Sequence, residues 1–268
     1  MTEALPSMRR RIPSLIPSLI PSLISSWTGL ACLASLMGLF AGCAVFEPTP
    51  APRGEAKSAP VTSGELAQSD VNRMATLGMK ENLDTLLRLA DKLYRRNPAE
   101  WRKTSALGRE DALAQVQKAI ESRQPWPGLQ GQRDIKALSL ALSPDFKGDR
   151  VAAFVIANAD MLIAAHGDKT TFYLIDGLDA QHIFNAARNV EAAVWLLGSR
   201  RNTSGQPLLL ADEINAQERN LSYEREFGKI IGRLDLLSAV VTEKYRRAAI
   251  SYVQNLLGGT FLQFLPVR

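Results

Sequence analysis

The segment over residues 149–165 constrains the fold of this chain more than any other part of the sequence. It is apolar on almost every side, and after Asp149 and Arg150 at its start only Asn158 and Asp160 interrupt the apolar run. A helix that is apolar all round is a buried helix, and this one is too short and too polar to cross a bilayer. We therefore predict a central helix that is covered by other parts of the chain.

Two long amphipathic patterns flank that segment. The first begins at Asp70, and its apolar stripe consists of Val71, Met74, Leu77, Leu83, Leu86, Leu87, Ala90, Leu93 and Tyr94. The second covers residues 222–257, with apolar positions at Phe227, Ile230, Leu234, Leu237, Val241, Tyr245, Ala248, Tyr252 and Leu256. Its average step is close to that of a straight helix rather than a coiled-coil seam. Both patterns predict helices, and the second is the expected spine of a bundle.

Shorter elements are predicted between these two helices. The run Asn97-Pro98-Ala99-Glu100 supplies a cap, a first-turn proline and an acidic residue, so a short helix anchored by Trp101 is expected there. Residues 112–120 predict another amphipathic helix, and Asp179 is the expected N-cap of a further one. Residues 170–175 favour a brief strand, and the loop over residues 199–212 is expected to hold a small hairpin or an extended strap.

The end of the chain carries two further predictions. Gly258 and Gly259 are expected to end the last helix. The apolar tail after them, residues 261–266, must either fold back on the core or meet a partner. Taken together, the patterns predict a mainly α protein: a single helical-bundle domain of about six to seven helices, with at most a small strand or hairpin element.

The beginning of the chain contains the three regions of a secretory signal. Arg9, Arg10 and Arg11 form a cationic start, and an apolar core over residues 30–40 follows. The core runs into small residues and a cysteine, in the sequence Leu39-Phe40-Ala41-Gly42-Cys43. This sequence resembles a bacterial lipobox. The resemblance implies cleavage before Cys43, attachment of diacylglycerol to its thiol and acylation of the new amino terminus.

The same resemblance implies a location. By the sorting rule of Gram-negative lipoproteins, Ala44 in place of an aspartate implies passage to the outer membrane, with the domain facing the periplasm. Three acyl chains, at about 0.8 kcal/mol per buried CH₂, would hold the protein on the membrane permanently. An uncleaved transmembrane anchor over residues 24–41 is the alternative, because about 18 residues just cross the hydrocarbon core. Either Met1 or Met8 is the start.

Three parts are therefore expected in the chain. Residues 1–42 form the lipoprotein signal peptide, residues 43–69 the lipidated cysteine and a tether rich in proline, alanine and serine, and residues 70–268 the α-helical periplasmic domain. The tether has few large apolar residues and cannot build a core. Residues 146–150, 176–179 and 185–191 resemble segments of uncharacterised proteobacterial outer-membrane lipoproteins, a likeness that supports the envelope location and implies no activity.

Composition excludes several kinds of site. Of the two cysteines, Cys32 lies in the leader and Cys43 would carry the lipid, so the domain has no thiol for a disulfide or a metal. No metal-binding motif or cofactor motif is present. Loss of the leader removes three arginines and one glutamate, which lowers the net charge from +5 to +3. Such a small charge does not favour nucleic acid as a partner.

Candidate catalytic residues are few, since the chain has only two histidines. Asp179 and His182 are three residues apart and would share a helix face, where they could act as an orienting carboxylate and a base. The alternative interpretation is purely structural: Asp179 is the N-cap of a helix, and His182 lies one turn later. His166 is expected to cap a helix end, where a cation is favoured by the dipole.

A second set of polar residues interrupts apolar helices and is expected to be either a structural or a binding cluster: Asp160, Asp176, Arg188, Asn189 and Glu191. Within it, Arg188 is expected to pair with Asp160 or with Asp176. The carboxylates near helix ends, Asp145, Asp149, Asp160, Asp176 and Asp179, could include a glycosidase-like pair. End-capping explains each of them singly.

The sequence therefore favours a non-enzymatic role as an envelope scaffold, adaptor or accessory factor, with partners in the membrane and among envelope proteins. A helical carrier of an apolar ligand such as lipid is the first alternative, and a large apolar cavity in the bundle would support it. A cell-wall hydrolase is the second alternative, and it would require the candidate acid and base residues to converge in an open cleft.

Overall fold

The computed structural model describes residues 62–214 and 219–262. Over these residues the chain is mainly α-helical, which confirms the predicted fold class. The helices are α1 (Asp70–Arg96), α2 (Pro98–Thr104), α3 (Arg109–Ser122), α4 (Asp134–Ala141), α5 (Arg150–Ala165), α6 (Ala180–Ser199) and α7 (Ser222–Leu262). Two short 3₁₀ turns are also present: Ser63–Ala67 precedes α1, and Pro127–Leu129 lies between α3 and α4.

Helix α5 is the buried centre of the fold, as its apolar sequence predicts. It packs against α1, α2, α3, α4 and α6, and all of its residues from Arg150 to Ala159 are buried. Asp149 is its N-cap and accepts a hydrogen bond of 2.9 Å from the backbone N–H of Ala152. The ring of Phe154 meets that of Phe227 from α7 edge to face, with 6.2 Å between centroids.

Helix α1 buries a face that differs from the predicted stripe. Leu77 is exposed, whereas the buried face includes three polar residues, Asn72, Asn82 and Thr85. Their partners come from distant parts of the chain or from the preceding turn of α1. Arg233 of α7 lies 3.3 Å from both Asn82 Oδ1 and Thr85 Oγ1, so two of these polar groups are matched across a helix interface.

The strand predicted over residues 170–175 is wrong, because this segment is irregular. Its backbone groups bind α1 and the turn before it instead of a neighbouring strand. Gln68 Nε2 donates to the carbonyl of Phe172 (2.8 Å), and the Phe172 N–H donates to Thr76 Oγ1 (3.1 Å). The Leu174 N–H donates to the carbonyl of Ala67 at 2.8 Å. Once these groups are paired, the segment needs no strand partner.

Strand structure in the described part of the chain is very small. A two-residue antiparallel ladder joins β1 (Glu213–Ile214) to β2 (Arg219–Asn220). The preceding loop contains an isolated bridge between Arg201 and Pro207, in agreement with the small hairpin predicted there. Helix α4 was not predicted, since only Ala137, Leu138 and Ala141 of its eight residues are buried.

Helix α7 is a spine for only half of its length. Its buried residues end at Val241, and every residue from Lys244 to Leu256 is exposed. The prediction that Gly258 and Gly259 end the helix is wrong, because the helix continues to Leu262. We call residues 242–262 the arm. The last residues of the predicted apolar tail, 263–266, lie outside the described residues.

The compact unit that holds the helices begins at Gly64. The predicted division of the chain into a signal peptide, a tether and a domain stays a prediction. Ser69 is the N-cap of α1, and its hydroxyl accepts from the Asn72 N–H at 3.2 Å. Of the helices in the described part of the chain, none combines the length and the apolar character needed to cross a bilayer.

Candidate functional site

A cavity of about 280 Å³ opens beside the central helix. Four elements line it: the end of α3, the turn at Pro127–Leu129, α4 and α5. Most of its walls are apolar, with contributions from Ile120, Trp126, Leu129, Ala137, Ile156 and Ile163. Trp126 is half-buried and packs against the core, so its ring is a fixed wall of the cavity.

Charged residues surround the mouth of this cavity. Arg133 binds Asp160 in a bidentate fashion, with Nη2 2.6 Å from Oδ1 and Nε 2.9 Å from Oδ2. Arg123 lies 2.7 Å from Asp168 Oδ1 and 3.3 Å from Asp160 Oδ1. The hydrogen bonds that Arg133 donates to Asp160 raise the pKa of Arg133. Two arginines thus face two carboxylates, and the formal charge of these four groups is zero.

Unusual backbone conformations also gather at this mouth. Among the described residues, those other than glycine that have a positive φ are Arg123, Gln130, Asp134 and Asp168, with φ between 51° and 60°. Such conformations are uncommon outside glycine. Burial raises the pKa of Asp134, and the neighbouring Asp160 carboxylate raises it further. Local conformations of this kind are often found around functional sites.

The chemistry of the cavity favours binding over catalysis. Its walls offer apolar contact, and the acidic and basic groups at its mouth neutralise one another. A ligand with an apolar body could enter the cavity without leaving a buried charge unpaired. A ligand with a carboxylate would have to replace Asp168, whose side chain is 65 % exposed, at the two arginines.

A second, wider groove runs between α1 and the start of α7. It carries both signs of charge, from Arg88, Lys92 and Arg95 on one hand and from Asp91 and Glu226 on the other. Lys92 Nζ donates to the Ser222 carbonyl at 3.1 Å, which ties the two helices together. The mixed charges give this groove no preference for an anion or a cation.

The most completely buried polar network lies at the start of α5. Asp149 Oδ2 accepts hydrogen bonds of 2.7 Å from both Tyr94 Oη and Thr104 Oγ1. Burial raises the pKa of Asp149, and burial together with the Asp149 carboxylate raises that of Tyr94. The Arg150 guanidinium donates to the carbonyls of Ala141, Ser143 and Phe146. Since Asp149 and Arg150 are 3 % and 6 % exposed, this network fixes helix ends rather than meeting a ligand.

Asp179 and His182 take the structural arrangement rather than a catalytic one. Asp179 Oδ1 accepts from the backbone N–H groups of Gln181 (2.8 Å) and His182 (3.0 Å), so the carboxylate is the N-cap of α6. These bonds lower the pKa of Asp179. The His182 side chain is exposed, and neither residue lines the cavity or the groove.

The predicted polar cluster is divided among separate parts of the fold. Arg188 binds Asp235 of α7, with 2.8 Å to each carboxylate oxygen, and lies 3.2 Å from Glu191. The expected pairing of Arg188 with Asp160 or Asp176 is therefore wrong, because α6 turns this face toward α7. Asp160 lies at the cavity mouth, and Asp176 binds Lys169 and the Tyr173 N–H. Asn189 is partly buried, and Asp145 is exposed.

His166 is the C-cap of α5, as predicted, but it is not a cation there. The residue is 3 % exposed, and its Nδ1–H donates to the Leu162 carbonyl at 2.7 Å. Burial lowers the pKa of the ring, so His166 is neutral near pH 7. The favourable interaction of a histidine cation with the helix dipole is therefore replaced by a hydrogen bond and a tilted contact with the Phe172 ring.

No family model, curated protein or solved structure matches this chain. The roles of its residues therefore follow from their contacts. Within residues 62–214 and 219–262, no group of three or more His, Cys, Asp or Glu side chains is placed to hold a metal ion. Cys43 and the other residues of the predicted lipobox, Leu39, Phe40, Ala41 and Gly42, lie outside the described residues.

Sequence reasoning missed most of the residues that form the cavity mouth and the buried network at Asp149. Arg123 and Arg133 gave no signal, because each lies in a turn with no spacing relation to Asp160. Tyr94 was assigned to an apolar stripe, although its hydroxyl is bound to Asp149. One usable signal was present: a buried tyrosine hydroxyl needs a partner, and Asp149 precedes the most apolar helix of the chain.

Proposed function

We propose that the chain is an outer-membrane-anchored periplasmic lipoprotein whose helical domain is a non-enzymatic envelope scaffold or adaptor. The observation that carries the scaffold role is the arm of α7. A helix that leaves the bundle and exposes Tyr252, Val253 and Leu256 offers an apolar surface to something outside the domain.

The anchor rests on the sequence. A cationic start, an apolar core and Leu39-Phe40-Ala41-Gly42-Cys43 occur in the order that a lipoprotein signal peptide requires. Ala44 supports the outer membrane as the destination. Acyl chains on Cys43 would keep the protein on the membrane even at high salt, because their burial is not electrostatic.

The candidate polar residues are bound within the fold, and these contacts support a structural role for them. Asp179 caps α6, Arg188 joins α6 to α7, and Asp149 is enclosed by Tyr94 and Thr104. A general acid or base must reach its substrate, and the wholly buried Asp149 does not meet this requirement. These contacts favour a scaffold over a cell-wall hydrolase.

Intact mass of the membrane-extracted protein tests the anchor, with Cys43→Ala fractionated alongside. We expect a mature mass that begins at Cys43 and includes three acyl chains, found in the outer-membrane fraction. The Cys43→Ala variant should lack this mass. An unprocessed mass in both would instead support an uncleaved anchor over residues 24–41 and remove the basis for outer-membrane sorting.

Complementation of a strain that lacks the chain tests the scaffold role. A variant with Asp179→Ala and His182→Ala should restore the envelope phenotype fully, because neither residue is assigned chemistry. A chain that ends after Glu243 should fold, since its core ends at Val241, and should fail to restore the phenotype. The opposite pattern would favour the hydrolase.

A carrier of an apolar ligand is the second candidate, and the cavity beside α5 favours it. Its volume of about 280 Å³ lies near the lower end of the range for ligand pockets. Titration with a fluorescent apolar probe should show saturable binding that Ala119→Phe, which fills the cavity from its rim, abolishes. Binding unchanged by Ala119→Phe would exclude the cavity as the ligand site.

A further inference from the structure

The arm continues the apolar stripe of α7 beyond the bundle. Val241 is the last buried residue of the stripe, and Tyr245 and Tyr252 follow on the same side of the helix. Tyr245 is 57 % exposed, and its hydroxyl still donates to the Leu178 carbonyl at 3.3 Å. Beyond this contact Tyr252, Val253 and Leu256 are 71 %, 51 % and 64 % exposed. The apolar stripe therefore extends beyond the part of α7 that the core covers.

From Arg247 to Leu256 the polar side chains of the arm lie in a narrow strip. At 3.6 residues per turn Arg247, Ser251, Gln254 and Asn255 fall within about one third of the helix circumference, and Lys244 lies in the same strip one turn earlier. Glu243 and Arg246 lie outside the strip, at the start of the arm, and bind each other with 2.7 Å from Nε to Oε2. Between Ala248 and Leu256 the surface outside the strip is apolar, as in helices that lie in a membrane interface.

The charges of the arm are predominantly positive. Residues 242–262 contain three basic residues and one acidic residue, and no charged residue follows until Arg268. Lys244 and Arg247 form no salt bridge with another residue in the part of the chain that the structure describes. Basic residues at the edge of an apolar helix face complement anionic lipid headgroups, and their long stems let the charges reach the headgroup level.

A second copy of the chain fits the arm less well than a lipid surface. The arm is about 30 Å long at 1.5 Å per residue. Half of the accessible surface of a cylinder about 30 Å long and about 13 Å across, with side chains and a water-sized probe included, is roughly 600 Å² on each copy. This upper limit is below the roughly 800 Å² per partner of a stable interface. Lipid imposes no such minimum, because it can cover the whole apolar arc.

We propose that the arm is a second membrane contact that lies in the interface of an anionic bilayer, with its tyrosine, valine and leucine side chains inserted and its polar strip facing water. The proposal extends the proposed function, because a lipidated Cys43 would bring the domain to the membrane and the arm would orient it there. The arm's own binding does not depend on the lipid.

Vesicle cosedimentation of an unlipidated chain tests the arm alone. The protein is the chain from residue 43 onward with Cys43→Ser, which keeps the whole core, since every core residue lies between Ala75 and Val241. Vesicles of phosphatidylglycerol and phosphatidylethanolamine are compared with vesicles of phosphatidylcholine. We expect binding to the anionic vesicles, and we expect it to weaken as salt is raised.

Two triple variants provide the matched comparison. Tyr252→Ser, Val253→Ser and Leu256→Ser together should weaken binding about tenfold or more, because inserted apolar area is lost. Leu107→Ser, Ile175→Ser and Trp195→Ser together replace exposed apolar residues outside the arm and should leave binding unchanged. Lys244→Gln with Arg247→Gln should weaken binding to anionic vesicles and flatten its salt dependence.

Three outcomes would overturn the proposal: no vesicle binding, equal loss in the two triple variants, or a dimer in sedimentation equilibrium that the arm variant abolishes while vesicles remain unbound. Circular dichroism verifies that each variant is folded. The outcome is independent of the intact-mass experiment, so a chain that binds vesicles but carries no acyl groups would retain the arm proposal and lose the lipoprotein one.

Discussion

Helix α5 and the arm of α7 are both rich in apolar residues, yet one is the most buried helix of the domain and the other is exposed. Helix α5 packs against α1, α2, α3, α4 and α6, and its residues Phe154 and Leu162 are completely buried. The arm extends past the bond from the Tyr245 hydroxyl to the Leu178 carbonyl, and its residues from Lys244 to Leu256 are exposed. Apolar content therefore shows that a surface needs to be covered, and the neighbours decide whether the covering lies within the same chain.

The largest expected difference between these two regions is in stability. Phe154→Ala should lower the free energy of unfolding by about 3–5 kcal/mol, because it leaves a cavity beside Phe227. Tyr252→Ala in the arm should change it by no more than about 0.5 kcal/mol, as for other exposed residues. Urea denaturation followed by circular dichroism measures both. A large loss in Tyr252→Ala would mean that the arm packs on the domain.

The N-caps of α5 and α6 differ in burial, so we expect their removal to have effects of intermediate size on stability. Asp149→Ala removes a helix cap and leaves the buried hydroxyl of Tyr94 unpaired, so we expect a loss of about 2–4 kcal/mol. Asp179→Ala removes a cap only, at an exposed position, and should cost less. The same denaturation experiment compares them, and equal losses would contradict the enclosed network at Asp149.

The smallest expected effect is a pH dependence at the end of α5. The folded pKa of His166 lies below its unfolded value of about 6.5. The unfolded chain therefore binds the proton first as pH falls, and the stability that the neutral ring contributes is lost below about pH 6.5. His166→Gln should reduce this slope, and His182→Gln, at an exposed position, should not. The midpoint of urea denaturation between pH 7.5 and pH 5 measures the slope.

Much of the helical architecture could be predicted because periodicity and caps are local. The all-round apolar sequence of α5, the cap at Asp179 and the start of α1 at Asp70 each require only neighbouring residues. The predicted end of α7 at Gly258 and Gly259 was wrong because each glycine destabilises a helix by only about 1 kcal/mol. They become a stop only if the backbone adopts a left-handed conformation there.

The rest of the fold and site depends on residues that meet only after folding. Asn82 and Thr85 are buried because Arg233, about 150 positions away, lies against them. Asp160 binds Arg133 and not Arg188, since α4 and α6 approach different sides of α5. Neither the Arg233 contacts nor the Asp160–Arg133 pair can be predicted from the spacing of residues along the sequence. The cavity is lined by four separate segments, so no motif could predict it.

The contacts that replace the predicted strand at residues 170–175 have a mechanical consequence. Any tension transmitted along the chain toward Ser63 meets the bond from the Leu174 N–H to the Ala67 carbonyl and the bond from Gln68 to Phe172 before it reaches the body of α1. These two bonds would therefore carry part of the applied force where the chain enters the domain, just before Ser69. A pull on the chain at Ser63 would strain a segment close to the end of α5 while the first turn of α1, capped by Ser69, remained helical.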